Sequence, residues 1–195
     1  RMDQRRIHRV AITDHNLIDA ALEFHRQEPE RFLVGEEIKT TEGELLALFI
    51  SEWVPPRLSP EETIDLVHGQ GGLVGASHPL DRLRREAMGG SVLDAIHPRL
   101  DFIEVMNARV IFPGDNRRAR EKAARWGLPG SAGSDAHVPS EVGRCYVEMP
   151  RFDGPHDFLD CLSQAHVGGW VSSPLVHLAS TYAKLRRRLR KRSAV

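Results

Sequence analysis

Five short polar motifs in this chain each follow directly on a short apolar run, a pattern typical of buried strands that carry functional side chains at their ends. In chain order the motifs are Thr13-Asp14-His15-Asn16, Glu36-Glu37, Ser77-His78-Pro79, Asn107 and Gly133-Ser134-Asp135-Ala136-His137. In a parallel βα barrel the carboxyl ends of the strands meet at one edge, where the active site lies. The pattern therefore predicts that side chains far apart in the sequence form a single metal site.

The segments between these motifs predict alternating strands and helices. Short apolar runs such as Leu73 to Ala76 are typical of buried strands, and Leu17 to Gln27 has apolar residues at helical spacing. Ser59-Pro60-Glu61-Glu62 is a capping box with proline at the first helical position, which predicts a helix that ends at Gly71-Gly72. The run Leu45 to Ile50 is predicted to form a hairpin with the strand before it. We therefore predict one α/β domain built mainly from parallel βα units.

Composition limits the class of protein. The chain has 195 residues, of which 41% are hydrophobic and 28% charged, enough for one domain with a substantial core. Its formal net charge is zero, so the overall field does not favour nucleic acid or an acidic surface as a partner. No apolar run approaches the roughly 20 residues that span a bilayer, so no membrane span is predicted. Cys145 and Cys161 are isolated, which predicts no disulfide framework and favours a reducing, cytoplasmic location.

The exception to this neutral balance is a basic block from Lys184 to Arg192, in which Leu185 and Leu189 lie on one face of a predicted terminal helix. The simplest interpretation is a solvated helix end whose positive charges suit the helix dipole. A weak contact with phosphate groups or an anionic membrane is the alternative. A nuclease or nucleic-acid-binding function would depend on this tail alone.

Three motifs carry histidines that could bind a metal ion. The carboxylate directly before His15 could accept a hydrogen bond and fix the imidazole tautomer. Pro79 favours an extended backbone at His78, which restricts where the side chain points. Asp135 and His137 are two residues apart, and in an extended segment this spacing places both side chains on one side of the backbone. Each motif taken alone also fits a surface or structural role.

The glutamates near the predicted hairpin differ in their expected roles. Glu37 and Glu44 flank the turn and could approach each other across it. Surface charge is the interpretation for the other glutamates of these stretches, which are Glu36, Glu42, Glu61 and Glu62. The amide of Asn107 suits substrate hydrogen bonding or support of a metal ligand. Arg144 could bind a phosphate bidentately, although an ordinary surface arginine fits the sequence equally well.

The candidate ligands combine imidazole and carboxylate groups without thiolate, which favours zinc, manganese or iron over a cysteine-rich structural zinc site. The other histidines fall in predicted helices, helix ends or loops. They are predicted to be structural and are His8, His25, His68, His97, His156, His166 and His177.

Taken in order and with their flanking residues, the five motifs closely resemble those of the PHP (polymerase and histidinol phosphatase) family of metal-dependent phosphoesterases. In this wider form the second motif is Gly35-Glu36-Glu37-Ile38 and the fourth is Glu104-Val105-Met106-Asn107. The resemblance implies an α/β fold of the PHP type, a distorted TIM-like (β/α)7 barrel with up to three divalent metal ions (manganese, zinc or iron) at the carboxyl ends of the strands. It also implies one PHP domain over residues 1–195, with barrel motifs in residues 1–150 and a PHP-associated segment with a basic helical tail in residues 151–195.

The resemblance also implies roles for individual residues. His15 and His137 resemble ligands of one metal ion, and Glu37 resembles a carboxylate that bridges two ions. His78 and Asp135 would complete the neighbouring sites. No catalytic residue separate from these ligands is implied.

Two features depart from the family pattern. Family members open with an Asp-Leu-His-x-His-Thr motif on the first strand, and no such residues precede Arg9. The chain is therefore expected to be N-terminally truncated and to have an incomplete, weakened site. Glu44 stands where relatives often carry histidine, so it is retained as a candidate oxygen ligand and an altered metal preference is expected.

The predicted function is hydrolysis of a phosphate mono- or diester, in which a metal-activated hydroxide attacks phosphorus. The expected partner is a small phosphorylated substrate, such as a nucleotide or a sugar or amino-alcohol phosphate, contacted by Asn107 and Arg144. The irregular, charged stretch from Leu80 to Leu100 is expected to shape the pocket but carries no motif that identifies the substrate. The alternative is a non-catalytic, degenerate metal-binding or regulatory domain.

Overall fold

The computed structural model describes residues 1–172. The predicted terminal helix from Pro174 and the basic block from Lys184 to Arg192 lie outside the described residues. In chain order the elements are α1 (Met2–Arg5), β1 (Val10–Ile12), α2 (Asp19–Gln27), β2 (Phe32–Thr40), β3 (Gly43–Leu48), α3 (Pro60–Gly69), β4 (Leu73–Ala76), α4 (Gly89–Ile96), β5 (Phe102–Asn107), α5 (Pro113–Trp126), β6 (Gly130–Gly133), β7 (Cys145–Glu148), α6 (Gly154–Ser163) and β8 (His166–Gly169).

Local signals in the sequence explain where several of these elements begin and end. Ser59 and Glu62 form the predicted capping box at the start of α3, each side chain bonding to the backbone of the other. This pairing satisfies amide groups that the first helical turn leaves free. Helix α5 ends at its carboxyl terminus with Gly127, which adopts the left-handed conformation with φ of 67°; glycine accepts this conformation without steric cost.

Strands β1 to β6 form one mixed sheet in sequential order, and β7 and β8 form a separate antiparallel pair. Strand β1 pairs with β2 in parallel, and β4, β5 and β6 are also parallel neighbours. Between them β2, β3 and β4 are antiparallel, with Lys39 opposite Glu44 in the predicted hairpin. The predicted hairpin of β2 and β3 is therefore confirmed. The antiparallel pairing of β3 with β4 departs from the expectation of parallel βα units, because the hairpin reverses the direction of β3. The result is a mixed α/β fold whose sheet curls into a half barrel.

The sheet is covered on both faces. Helices α2 to α5 contribute buried residues to the main core on one face, where Ile38, Val74 and Ile103 are fully buried. On the other face, Phe158 and Leu162 of α6 pack in a second cluster that also holds strand residues of β3, β4 and β5. Because both faces are covered, polar side chains on the strands are buried as well, and they require partners.

The strand directions bring the sequence motifs to one edge of the sheet. His15 follows β1, His78 follows β4, and Asn107 ends β5. Strand β3 runs against its neighbours, so Glu44 near its start lies at the same edge. Glu37 lies within β2 rather than after it, opposite His15 in an isolated parallel bridge. Within residues 1–172, no helix is long and apolar enough to cross a membrane.

Candidate metal centre

Two glutamates of the hairpin lie between two histidines at this edge. Glu37 Oε2 lies 3.1 Å from His15 Nδ1, and Glu37 Oε1 lies 3.0 Å from His78 Nε2. Glu44 contacts the same two rings, at 3.6 Å from His15 Nδ1 and 3.4 Å from His78 Nε2. One donor atom each from His15, Glu37 and Glu44 lie within 4.8 Å of one another. The structure thus brings together four of the predicted ligands.

The charges of this group are strongly coupled. Burial alone would raise the pKa of Glu37, but hydrogen bonding and the charge of His78, with further help from His15 and Ser77, lower it to about 2. Ser77 Oγ donates to Glu37 Oε1 at 2.6 Å. Hydrogen bonding to Glu44 and the nearby negative charges outweigh burial and raise the pKa of His15 to about 8. Glu37 is therefore ionised across the physiological pH range, as a metal ligand must be.

Backbone conformation at the motifs differs from the extended one that we expected. His78 has a φ of 28°, so the prediction of an extended backbone at this residue is wrong. Asp135, with φ of 47°, also lies in the left-handed region, as does Asn16 next to His15. Such conformations are costly for residues with side chains and are concentrated at functional sites, where the surrounding structure maintains them.

Asp135 and His137 lie close together, although the segment between them is not extended. His137 Nδ1 lies 2.9 Å from the Asp135 carbonyl oxygen and 3.4 Å from Oδ1 of its carboxylate. The backbone N–H of His137 donates to Glu141 Oε2, which also pairs with the buried guanidinium of Arg109. The ring of His137 lies 6.1 Å from the ring of His15, centroid to centroid. The local turn, not strand alternation, brings this motif to the site.

Glu104 lies at the candidate centre, although our sequence analysis assigned it no role. It lies on β5 and is 4% exposed, with Oε2 accepting hydrogen bonds from the backbone N–H of His78 at 2.7 Å and from Asn107 Nδ2 at 3.1 Å. Burial raises its pKa to about 7. Gly133 makes room for it, since a Cβ there would lie 2.1 Å from Glu104 Oε1. Its signal in the sequence was an acidic residue between the apolar Ile103 and Val105, on the face of the strand opposite to theirs.

Asn107 binds neighbouring carboxylates. Besides its bond to Glu104, its Nδ2 donates to Asp135 Oδ2 at 3.5 Å, while its Oδ1 accepts from the backbone N–H of Arg109 at 2.8 Å. The amide thus has partners on both atoms and supports predicted ligands. Direct contact between Asn107 and a substrate stays a prediction.

Arg84 is the second residue that the sequence analysis missed. Its Nη1 lies 2.8 Å from His78 Nε2, and its Nη2 donates to Asp135 Oδ2. It comes from the stretch Leu80 to Leu100, in which we found no interpretable motif. Several arginines occur there, and nothing in their spacing distinguishes the one that points inward.

Arg144 has no recorded hydrogen bond or ion pair between its side chain and the predicted ligands in residues 1–172. Its backbone N–H donates to the carbonyl of Glu141, and its Nε is buried without a hydrogen-bond partner. A role of Arg144 in substrate binding therefore stays a prediction.

Glu36 is fully buried, so the prediction that it carries surface charge is wrong. Alternation along β2 places it between Val34 and Ile38, on the face that packs against the main core. Its Oε2 accepts from the backbone N–H of Val54 at 3.1 Å, and burial raises its pKa to about 7. Glu42, Glu61 and Glu62 are exposed, as predicted.

Several of the histidines predicted to be structural have local partners. His25 Nδ1 lies 2.7 Å from the Phe32 carbonyl oxygen, and His68 Nε2 lies 2.9 Å from Asp101 Oδ2. His97 stacks on Trp126 with ring centroids 4.1 Å apart. His177 lies outside the described residues.

The chain has recognisable relatives. Residues 113–167 match the model of a family described as PHP-associated. An uncharacterized protein of Methanocaldococcus jannaschii is 45% identical over 102 residues, which cover 51% of this chain and only 57% of the relative's own length. A second uncharacterized protein of the same organism is 31% identical over 160 residues, covering 75% of this chain and 67% of that relative.

Solved structures share the fold. PsfC of Pseudomonas syringae superposes with a TM-score of 0.68 at 16% identity, covering 95% of this chain and 86% of its own. A two-domain protein of Bacteroides vulgatus, with a predicted PHP-like metal-dependent phosphoesterase, gives 0.63 at 15% identity, with coverage of 84% and 56%. A candidate metal-dependent phosphoesterase of Bifidobacterium adolescentis gives 0.56 at 22% identity, with coverage of 70% and 81%. At such identities the likeness shows a common fold.

Proposed function

This chain belongs to the PHP family, and we propose that it hydrolyses phosphate esters with divalent metal ions bound at the edge formed by β1 to β6. The names of two structural relatives, which describe metal-dependent phosphoesterases, support this class of reaction. The proposed substrate is a small phosphorylated molecule. Manganese, zinc and iron are the proposed metals, with up to three ions in a complete family site. A (β/α)7 barrel stays a prediction.

The observation that carries the proposal is the convergence of His15, Glu37 and Glu44, whose donor atoms lie within 4.8 Å of one another. Three donors at this spacing fit one divalent cation. Their chemistry also fits, because imidazole and carboxylate ligands suit zinc, manganese and iron. His78 lies against both glutamates, and its buried Nδ1 has no hydrogen-bond partner. The ring is thus held by contacts at Nε2, the atom that faces the carboxylates.

Each proposed ligand is oriented by neighbours. Ser77 donates to Glu37 and leaves the second carboxylate oxygen facing His15. Glu104 accepts from the backbone of His78, and Asn107 bonds to Glu104 and reaches Asp135. Such surrounding hydrogen bonds fix the direction of metal ligands and strengthen binding.

The proposed division of labour follows from this arrangement. His15, Glu44 and His137 would hold metal on one side, His78 and Asp135 would hold it on the other, and Glu37 would lie between the two sides. A bound divalent cation supplies Lewis acidity toward phosphoryl oxygens and lowers the pKa of a water molecule. The protein residues contribute fixed positions and a negative field that favours binding of cations. No side-chain base separate from the ligands is needed in this proposal.

The test compares Glu37→Gln with the matched variant Glu42→Gln, which changes an exposed glutamate of the same hairpin. Metal content is measured after dialysis against Mn²⁺ or Zn²⁺, and hydrolysis of p-nitrophenyl phosphate and bis(p-nitrophenyl) phosphate is followed. We expect Glu37→Gln to lower metal affinity by about a hundredfold or more, the upper end of effects seen even for residues around a ligand, and to abolish turnover. Glu42→Gln should resemble the wild type.

Two results would contradict the proposal. A folded wild-type chain that binds no divalent metal would exclude the metal centre. Stoichiometric metal without hydrolysis of a panel of phosphate mono- and diesters would exclude the catalytic part and leave a metal-binding domain.

A further inference from the structure

A guanidinium group lies between two of the proposed metal ligands. Arg84 Nη1 is 2.8 Å from His78 Nε2, Nη2 donates to Asp135 Oδ2, and Nε is 3.5 Å from Asp81 Oδ2. The side chain of Arg84 is only 18% exposed, and that of His78 is completely buried. This arginine is therefore a desolvated cation inside the candidate centre and not a surface charge.

The contact with His78 involves the atom that would bind a metal ion. His78 Nε2 lies 3.0 Å from Glu37 Oε1 as well, and it either donates to that carboxylate or accepts from Arg84, which has only N–H donors. A hydrogen bond from Arg84 therefore uses the lone pair of that nitrogen. A metal ion requires the same lone pair. At Asp135 the guanidinium occupies Oδ2 and leaves Oδ1 to other partners. Arg84 and a divalent cation therefore cannot bind His78 Nε2 at the same time, and they compete for the charge of Asp135.

Electrostatic repulsion also disfavours the presence of Arg84 and a divalent cation on the same side of the centre. Two cations a few ångströms apart repel strongly where burial lowers the effective dielectric. The carboxylates that Arg84 contacts, Asp81 and Asp135, are buried or half-buried, and an ionised carboxylate there needs a positive partner when no metal is bound. A guanidinium in this position supplies that charge from the chain itself.

We propose that Arg84 is an intrinsic competitor of the divalent cation on the His78–Asp135 side of the centre. It neutralises that side in the metal-free protein and must leave His78 when a metal ion binds there. The inference rests on the proposed metal centre and adds that Arg84 regulates the binding of metal to it. It assigns a role to a residue of the stretch between Leu80 and Leu100, which the proposed ligand set leaves unused.

The two sides of the centre should then differ in affinity. Within residues 1–172 the ion pairs recorded for His15 are to Glu37 and Glu44, so binding there displaces no arginine. Binding on the His78–Asp135 side must first break the Arg84 contacts. We therefore expect metal to load in two steps, with the weaker step controlled by Arg84.

The test uses calorimetric titration of metal-free protein with Mn²⁺ and, separately, Zn²⁺, and needs no turnover. Arg84→Met removes the charge and keeps most of the apolar stem, and Arg84→Lys keeps a charge. Arg85→Met is the matched control, because Arg85 is the exposed neighbour on the same segment. We expect Arg84→Met to tighten the weaker step by at least about tenfold, since a neighbouring charge is removed. Arg84→Lys should tighten it less, and Arg85→Met should leave both steps unchanged.

A second readout concerns the metal-free state. Arg84→Met should lower the thermal midpoint of the metal-free protein relative to Arg85→Met, and saturating metal should remove the difference. If the wild type binds metal in two steps and Arg84→Met leaves both unchanged or weakens the second, the inference fails while the proposed function stands. If neither protein binds metal, both are overturned.

Discussion

Gly133 is the residue at which the packing of the centre is tightest. A Cβ at this position would lie 2.1 Å from Glu104 Oε1. Glu104 cannot move away freely, because its other oxygen accepts hydrogen bonds from His78 and Asn107. We expect Gly133→Ala to lower the free energy of unfolding by about 1–3 kcal/mol, the usual cost of overpacking. Urea denaturation measures this change.

The matched control for this change is Gly90→Ala. No heavy atom lies within 4 Å of a Cβ built at Gly90, which belongs to α4, where alanine is favoured. This variant should be as stable as the wild type or more so. Equal stability of the two alanine variants would show that Glu104 relaxes without cost.

Ser77 provides a second prediction for a single residue. Its Oγ donates to Glu37 Oε1 at 2.6 Å and is expected to fix the direction of that carboxylate. Ser77→Ala should weaken divalent metal binding by about ten- to a hundredfold, as removal of hydrogen bonds around metal ligands does. Calorimetry against Ser91→Ala, which alters an exposed serine of α4, measures the difference. Unchanged affinity in Ser77→Ala would mean that Glu37 is held by His78 and His15 alone.

Sequence reasoning at the residue scale predicted the position of side chains close to strand ends. His15, His78 and Asn107 lie at the expected edge of the sheet, because strand direction alone determines which edge they reach, and their roles there stay predictions. The positions of Glu36 and Glu104 were not predicted, since both lie inside strands that are buried on both faces, where charged residues are unusual. For Glu36, the apolar neighbours two residues away on either side were available in the sequence and indicated the core.

A cluster of charged residues joins the segment after β4 to helix α5, next to the candidate metal centre. Asp115 in the first turn of α5 is 1% exposed and accepts hydrogen bonds from the backbone N–H and the guanidinium of Arg82, while Arg118 lies 3.0 Å away. Burial opposes ionisation, but these hydrogen bonds and positive charges outweigh it and lower the pKa of Asp115. The cluster fixes the segment that carries Arg84 to the start of α5.

The lowered pKa predicts an acid-sensitive contribution to stability. Because the folded state favours the ionised carboxylate, the stabilisation is complete above the unfolded pKa, near 3.8, and is lost as the pH falls further through the folded value. Asp115→Asn should therefore be less stable than the wild type at pH 6, by roughly 1–3 kcal/mol. The difference in the free energy of unfolding between the two proteins should become smaller as the pH is lowered below about 4.

Chemical denaturation from pH 2.5 to 6 tests this dependence. Asp65→Asn is the control, since Asp65 forms an exposed pair with Arg99, which is expected to contribute little. If the free energy of unfolding of Asp115→Asn differs from that of the wild type by a constant amount over this pH range, the charge of Asp115 does not contribute to stability.

Elements were more predictable than their pairing. Capping residues, prolines and glycines mark where α3, α5 and α6 begin or end, and α3 was predicted from such short-range signals. The reversal of β3 between parallel neighbours depends on which strands meet after the hairpin forms. Spacing along the chain does not contain that information, and neither does it show that Arg84 contacts His78 and Asp135.

At the scale of the whole molecule, the centre depends on six strands that must assemble before any ligand set exists. The formal net charge of the chain is zero, yet buried carboxylates and cations are concentrated at this edge. A metal ion that binds only this folded arrangement stabilises it through mass action. Folding and metal binding should therefore be thermodynamically linked.

The linkage predicts a thermal shift. A ligand at about 100 times its Kd stabilises the folded state by roughly 2.7 kcal/mol. For a chain of this size each kcal/mol raises the Tm by about 2–4 °C, so saturating Mn²⁺ or Zn²⁺ should raise it by roughly 5–10 °C. Excess chelator should reverse the shift. Differential scanning calorimetry of the wild type and Glu37→Gln measures it, and the variant should show little change because its carboxylate is lost. An equal rise in both proteins would mean that the metal stabilises the fold from a site other than the His15–Glu37–Glu44 group.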